Sequence, residues 1–447
     1  MRVILRGATV MALDGRRTLK KSDVLIDDGV IAAAGGTLDT QETQIFDVEG
    51  VLMPGLVDAH VHVEQALLDK HFVPDLDPHV YHHAQIAAWR AALDADALDV
   101  SASVAFGLGL MSGTTTFAQA GHASAGPSLT KAASRLGARL VLGIDGANQH
   151  AGAEIAVLEE QAKAEARTFL APAVWGGDAE RTTRRGVRLA VDAAHHTRVP
   201  LMMHLGMLPQ DRGGVRRIER LDAFEARVVL AHANGAAIAS QRDAERLASA
   251  EASVVLTPSF DILSGAPSPP LETLLAAEVN LALGAETGAT RCGFDLFRDV
   301  RLLRRLLVGR ADRPASRALE IATRGGGKAL GLGVGSIEVG HRADLLLVDV
   351  TAEEGEGHEE VARRIVEHGG SDLVKSVWVD GRNVVHNGRL LDGAVPPESA
   401  RDHVRARMSP HAGARGRSAL FHGLVDWLGR NQRHRAGWHA GRLPFGR

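Results

Sequence analysis

Short apolar runs punctuate the middle of the chain at intervals that suit a strand followed by a helix. They lie at "GLVDAHVH" (55–62), "TTTFAQ" (114–119), "RLVLGI" (139–144), "TFLAPAV" (168–174), "PLMMHL" (200–205), "VVLAHA" (228–233), "SVVLTP" (253–258) and "LALGAE" (281–286). Stretches suited to helices follow them, such as "RRGVRLAVDAAHHT" and "GFDLFRDVRLLRRLL". Eight strands alternating with helices predict an α/β fold, a (β/α)8 TIM barrel over residues 55–333. The two ends read differently. Residues 1–54 are short β-branched runs broken by Asp-Gly and Gly-Gly turns, and the same texture returns over 334–395, where Asp380-Gly381 and Asn387-Gly388 predict hairpins. One small β-sandwich domain built from both chain ends is expected. A basic C-terminal helical tail, 396–447, follows.

Composition narrows the function classes. A chain of 447 residues with 45% hydrophobic content is long for a single core, which fits a large domain with a smaller companion. Its 51 basic and 54 acidic residues leave a net charge of -3, so no global field recruits nucleic acid or a membrane surface. The tail is the exception, with ten arginines against two aspartates from residue 401 onward. Because Leu and aromatic residues recur at helical spacing in "RSALFHGLVDWLGRNQ", docking on the body or on another subunit is preferred to a nucleic-acid arm. The one cysteine, Cys292, excludes an internal disulfide framework and fits a reducing, cytoplasmic setting. No segment has the length of a membrane span.

Barrel enzymes carry their chemistry at the C-terminal ends of strands. Here the first run ends in His60-Val61-His62, the fifth in His204, the sixth in His232 and the eighth in Glu286. Alternate residues of a strand share a face, so His60 and His62 can converge on one cation. His204, His232 and Glu286 would approach the same axis from across the mouth. Each of the five is a potential metal ligand or acid-base group, and a metal near the barrel axis would collect them all. His82 and His83, after the first strand, and Asp145, after the third, are candidate substrate contacts. His195 and His196 read as surface residues of a helix. "RGGGKALGLG" (324–333) has Ala329 where a phosphate loop needs Ser or Thr, so it reads as the loop and helix leaving the barrel.

The stretch "PGLVDAHVHVEQALL" resembles the first-strand signature of the amidohydrolase superfamily, in its cytosine deaminase-like group, which includes guanine and S-adenosylhomocysteine deaminases and the triazine hydrolases (chlorohydrolases). "SGTTTFAQ" is similar to that group's second strand, and "ATRGGGKALGLGVGSIEVGHRADLLLVD" to its exit from the barrel. The resemblance implies one divalent metal, zinc ahead of iron, activating a water against a small-molecule substrate. It implies that His60, His62 and His204 ligate the metal, that His232 ligates weakly or hydrogen-bonds the water, and that the protein is a homodimer. Gln65 takes the signature's Gln position, and the fourth strand offers no lysine to bridge two metals.

Two positions depart from that group. Its His-x-x-Glu motif is here "HLGM", so Met207 stands where a proton-carrying glutamate is expected, beside the substrate. Its metal-binding aspartate is here Glu286, in "LGAETG". A thioether carries no proton. The expected function is therefore hydrolysis of a C–N bond in an amide, carbamate, cyclic imidate or similar substrate. Deamination of a nucleobase-like or triazine-like heterocycle is the alternative, and a catalytically drifted metal- or ligand-binding protein is a third reading.

Overall fold

The computed structural model describes residues 2–35, 38, 43–70, 86–121, 125–164, 169–208, 211–265, 268–287 and 294–406. His82, His83, Cys292 and most of the basic tail lie outside the described residues.

Eight parallel strands close into a barrel: β1 Leu56–His62, β2 Thr114–Gln119, β3 Arg139–Asp145, β4 Phe169–Asp178, β5 Leu201–Leu205, β6 Val228–His232, β7 Ser253–Leu256 and β8 Asn280–Leu283. The ring closes where Leu283 of β8 pairs with Asp58 of β1. Small and β-branched side chains fill the interior, among them Val57, Ala59, Val141, Ala173, Val229 and Val255. The helices form around this ring as the chain pattern predicts. In Arg184–Thr197 the Thr183 side chain accepts the Gly186 N–H at the N-terminus, while Val187, Ala190, Val191 and Ala194 make the buried stripe.

Both chain ends contribute to a separate pair of sheets. One has four strands, Arg2–Arg6, Val24–Asp27, Val30–Ala34 and Gln44–Asp47. The other has seven strands and joins early to late sequence where Val51–Pro54 pairs antiparallel with Leu345–Val348. Asp380 and Gly381, with φ of 52° and 74°, and Asn387 and Gly388, with 49° and 69°, make the expected tight hairpins.

Two details differ from the sequence pattern, and a third, the helix that leaves the barrel, agrees with it. β4 runs on to Asp178, four residues past the apolar run, through a register irregularity between Trp175 and Asp178. β8 stops at Leu283, and Glu286–Thr287 is a separate short strand paired with Val61 and His62 of β1. Residues 321–330 are continuous helix, a π turn (Ile321–Gly325) followed by Gly326–Leu330, with no phosphate-loop geometry.

Candidate metal centre

The parity of β1 is the first requirement of the site. Val57 and Ala59 belong to the barrel interior, so strict alternation would turn His60 and His62 outward. An irregularity in the pairing of β1 with β2, between Asp58 and Val61, shifts that parity. Val61 then packs into the outer core, and the two imidazoles face inward with ring centroids 5.3 Å apart. Asp58 holds the irregularity by accepting the N–H of Ala285 at 3.0 Å. Burial keeps its carboxyl well above the ordinary range, even against the backbone hydrogen bonds.

Four donor atoms, from His60, His62, His204 and Glu286, lie within 4.8 Å of one another, and all four residues are buried. His60 Nε2 is 2.9 Å from Glu286 Oε2 and 3.1 Å from His204 Nε2, while His62 Nε2 is 3.7 Å from Glu286 Oε2. Burial pushes the His60 imidazole down to about 4, with Glu286 pulling the other way, so at neutral pH it offers a lone pair. Glu286 stays ionised: burial opposes this, but the neighbouring histidines His62, His60 and His232 hold its carboxyl well below the usual range. The buried Nε2 of His62 has no hydrogen-bond partner among the described residues. Three imidazoles and one carboxylate converging on a point, one nitrogen left over, fit a divalent cation.

Neighbouring side chains orient these ligands. His204 Nδ1 lies 2.9 Å from Asp178 Oδ1, which fixes the ring proton there and leaves Nε2 for the cation. Burial works against the Asp178 charge, but His204 and Arg181 keep the carboxyl well below its ordinary range. Around His62 Nδ1 stand Arg90 at 3.2 Å and Glu64 at 3.5 Å, and Arg90 also donates to Glu64 at 2.9 Å. The backbone is bent to aim the remaining groups. His232 and Glu286 have φ of 71° and 61°, in the left-handed region, a strain of about 1–3 kcal/mol each that clusters at functional sites.

The other expected residues are placed as follows. His232 is buried, its ring centroid 4.9 Å from that of His204 and 5.6 Å from that of His60, and its Nδ1 faces Thr257 Oγ1 at 3.2 Å. Gln65 is buried, and its Oε1 has no hydrogen-bond partner among the described residues. Met207 is buried directly after Gly206, whose N–H donates to Glu180 Oε1 at 3.0 Å. Asp145 is exposed at the end of β3, where its Oδ1 accepts the Ala147 N–H, and it is not brought to the ligand cluster. His195 and His196 are exposed on their helix.

Sequence reasoning missed several groups. Asp178 and Trp175 lay in the part of β4 that the apolar run did not signal; the half-buried indole stands edge-on to His204 at 4.8 Å. Glu64 and Arg90 pair across 26 residues, which no local pattern shows. Glu180, whose carboxyl burial pushes up to about 7, fastens the loop that carries Met207.

Comparison with known proteins agrees with this geometry. Residues 51–384 match the model of the amidohydrolase family. The chain is 32% identical over 366 residues to a 5-methylthioadenosine/S-adenosylhomocysteine deaminase from Halobacterium salinarum, covering 75% of this chain and 81% of that protein. Its fold is similar to that of an adenosine deaminase from Xanthomonas campestris with bound zinc, at a TM-score of 0.77 and 22% identity over 92% of this chain and 98% of the other. It is similar also to atrazine chlorohydrolase from Arthrobacter aurescens, complexed with zinc, at a TM-score of 0.74 and 22% identity over 91% and 100% of the two chains.

Proposed function

The chain belongs to the amidohydrolase family and is a metal-dependent hydrolase of C–N bonds, and from that premise we propose that it removes an exocyclic amino group from a flat nitrogen heterocycle. The convergence of four buried donor atoms within 4.8 Å carries this reading. His60, His62, His204 and Glu286 would hold one divalent ion, zinc ahead of iron, which when bound acidifies a water to a pKa near 7. Glu286 takes the proton of the attacking water. His232, on the adjacent strand, hydrogen-bonds the site of attack. Asp178 keeps the His204 imidazole in the tautomer the site needs. The accessible part of Trp175 supplies a stacking surface for a planar ring, and the Gln65 amide oxygen accepts a ring or amino N–H. The curated relative from Halobacterium salinarum, a deaminase by name, supports the heterocycle over a plain amide.

Met207 favours the second reading, hydrolysis of an amide, carbamate or cyclic imidate, because no carboxyl stands at that position to protonate a departing amine. A homodimer in the cytoplasm is expected under either reading. The test is a screen of the zinc-loaded chain against adenine nucleosides, aminotriazines, amides and carbamates, following ammonia release. Glu286→Gln is expected to retain most of its metal and to lose about 100- to 10,000-fold in rate. His60→Ala with His62→Ala is expected to lose both metal and turnover. A double variant that kept both, or an unchanged rate in Glu286→Gln, would overturn the assignment.

A further inference from the structure

A buried carboxyl is linked to His232 through the segment that follows β7. His232 Nδ1 lies 3.2 Å from Thr257 Oγ1, and the same hydroxyl lies 3.2 Å from Asp261 Oδ1. Thr257 follows β7, and Asp261 sits on the helix Pro258–Ser264 that begins there. All three side chains are buried, with Thr257 at 0% and Asp261 at 3% exposure, so bulk water does not reset their protons. The ring edge of His232 away from Thr257 is the edge that can face the reacting groups, beside His60 and His204.

A threonine hydroxyl has one proton to give, so between two such neighbours it donates to one and accepts from the other. With Asp261 ionised, Thr257 donates to Asp261 and accepts from His232 Nδ1–H, leaving Nε2 bare. With Asp261 neutral, Asp261 donates to Thr257, Thr257 donates to Nδ1, and the ring proton sits on Nε2. The second arrangement stores a proton aimed at the site. Burial favours it: helped by the acidic Asp299 on the helix Leu296–Leu307, it holds the Asp261 carboxyl well above its ordinary range against the opposing hydrogen bond of Thr257.

We propose that Asp261, acting through Thr257 and His232, delivers the proton taken up by the departing nitrogen, the step for which Met207 has no group. The step balances. Asp261 gives its proton to Thr257, Thr257 gives its own to His232 Nδ1, and His232 releases the Nε2 proton to the leaving amine as the C–N bond breaks and the nitrogen keeps the electron pair. Asp261 ends as a carboxylate, and the proton that Glu286 took from water restores the resting state through the same groups.

This inference rests on the heterocycle reading, and its test separates the two. The zinc-loaded full chain and its Asp261→Asn, Thr257→Val and Thr257→Ser variants would be assayed on one heterocycle bearing either an amino group or a chloride, which leaves without a proton. Asp261→Asn and Thr257→Val are expected to lose about 100-fold or more in kcat on the amino compound. On the chloro compound they keep most of their rate, their zinc content is unchanged, and Thr257→Ser recovers the amino activity. Equal losses on both compounds, or no loss on the amino compound, would overturn the relay.

An infrared arm needs no turnover. The wild-type spectrum minus that of Asp261→Asn is expected to show the C=O stretch of a neutral carboxylic acid, and Thr257→Val is expected to move that band. A band that is absent, or unmoved by Thr257→Val, overturns the relay whatever the chain hydrolyses. The expected band with no turnover on either heterocycle supports the wiring and overturns the functional reading instead.

Discussion

At the residue scale, Asp178 decides how His204 presents itself to the cation. Its carboxylate holds the Nδ1 proton at 2.9 Å, so Asp178→Asn would leave the ring free to place a proton on Nε2, where the cation belongs. Such orienting partners typically account for about 10- to 100-fold in metal affinity. Asp178→Asn is accordingly expected to weaken zinc binding by that factor while the fold is kept, read by competition with a chelator; unchanged affinity would mean that the hydrogen bond does not set the tautomer. The four residues whose donor atoms cluster were legible in the sequence, because each interrupts or ends an apolar run at a strand end: His60 and His62, His204, Glu286. Asp178 was not, since it lies past the apolar stretch of β4, and neither was Asp261, whose link to His232 passes through Thr257 in another loop. Pattern shows which residues a strand carries to the barrel mouth, whereas pairing between loops is a tertiary fact.

At the scale of elements, the eight strands were legible from apolar runs, but two local deviations make the site and were not. One is the irregularity in β1 that turns His60 and His62 inward; the other is the break after Leu283 that lets Glu286 pair with Val61. Gly284 sits in that break and tolerates no side chain. A Cβ there would come within 2.7 Å of the His60 carbonyl oxygen and 3.0 Å of Val255 Cγ1, and the neighbour it presses on most closely is backbone. Gly284→Ala should force β8 away from β1 at the point where Glu286 meets His60, at a cost of about 1–3 kcal/mol as for other overpacked sites. Both the denaturation midpoint and the zinc affinity are expected to fall. Gly152→Ala, on a helix where an added Cβ meets nothing within 4 Å, is the control and should leave the zinc affinity unchanged and the midpoint no lower. If the two variants behave alike, the close approach of β8 and β1 does not shape the site.

At the scale of the whole molecule, the two-ended β-domain was legible in its Asp-Gly and Asn-Gly turns, but its attachment to the barrel was not. Besides an apolar core in which Met53 and Leu346 of the small domain join Phe106 and Phe117 of the barrel, the attachment runs through Arg139, which opens β3 at the end of the barrel away from the metal centre and would pass in sequence for a surface residue. It is 8% exposed, donates from Nε and Nη2 to Asp344 at 2.7 and 2.8 Å, and reaches Asp380 at 3.0 Å. Asp344 precedes the strand Leu345–Val348, and its Oδ1 also accepts the Asp380 N–H at 2.8 Å, so one guanidinium ties the barrel to two segments of the small domain. Burial disfavours the Arg139 charge, and the two aspartates more than offset it. Taking away one partner of such a buried pair strands the other charge, which typically costs about 3–5 kcal/mol, whereas replacing both by apolar residues of similar volume can be close to neutral. Arg139→Met is therefore expected to lower the unfolding free energy by about that amount, and Arg139→Met with Asp344→Leu to recover a large part of it, as read by denaturant midpoints. Zinc content of the folded variants should stay unchanged, because the proposed ligands lie at the other ends of the strands. A double variant no more stable than Arg139→Met would show that the guanidinium holds the domains through packing, over Phe169 at 5.4 Å, instead of through charge.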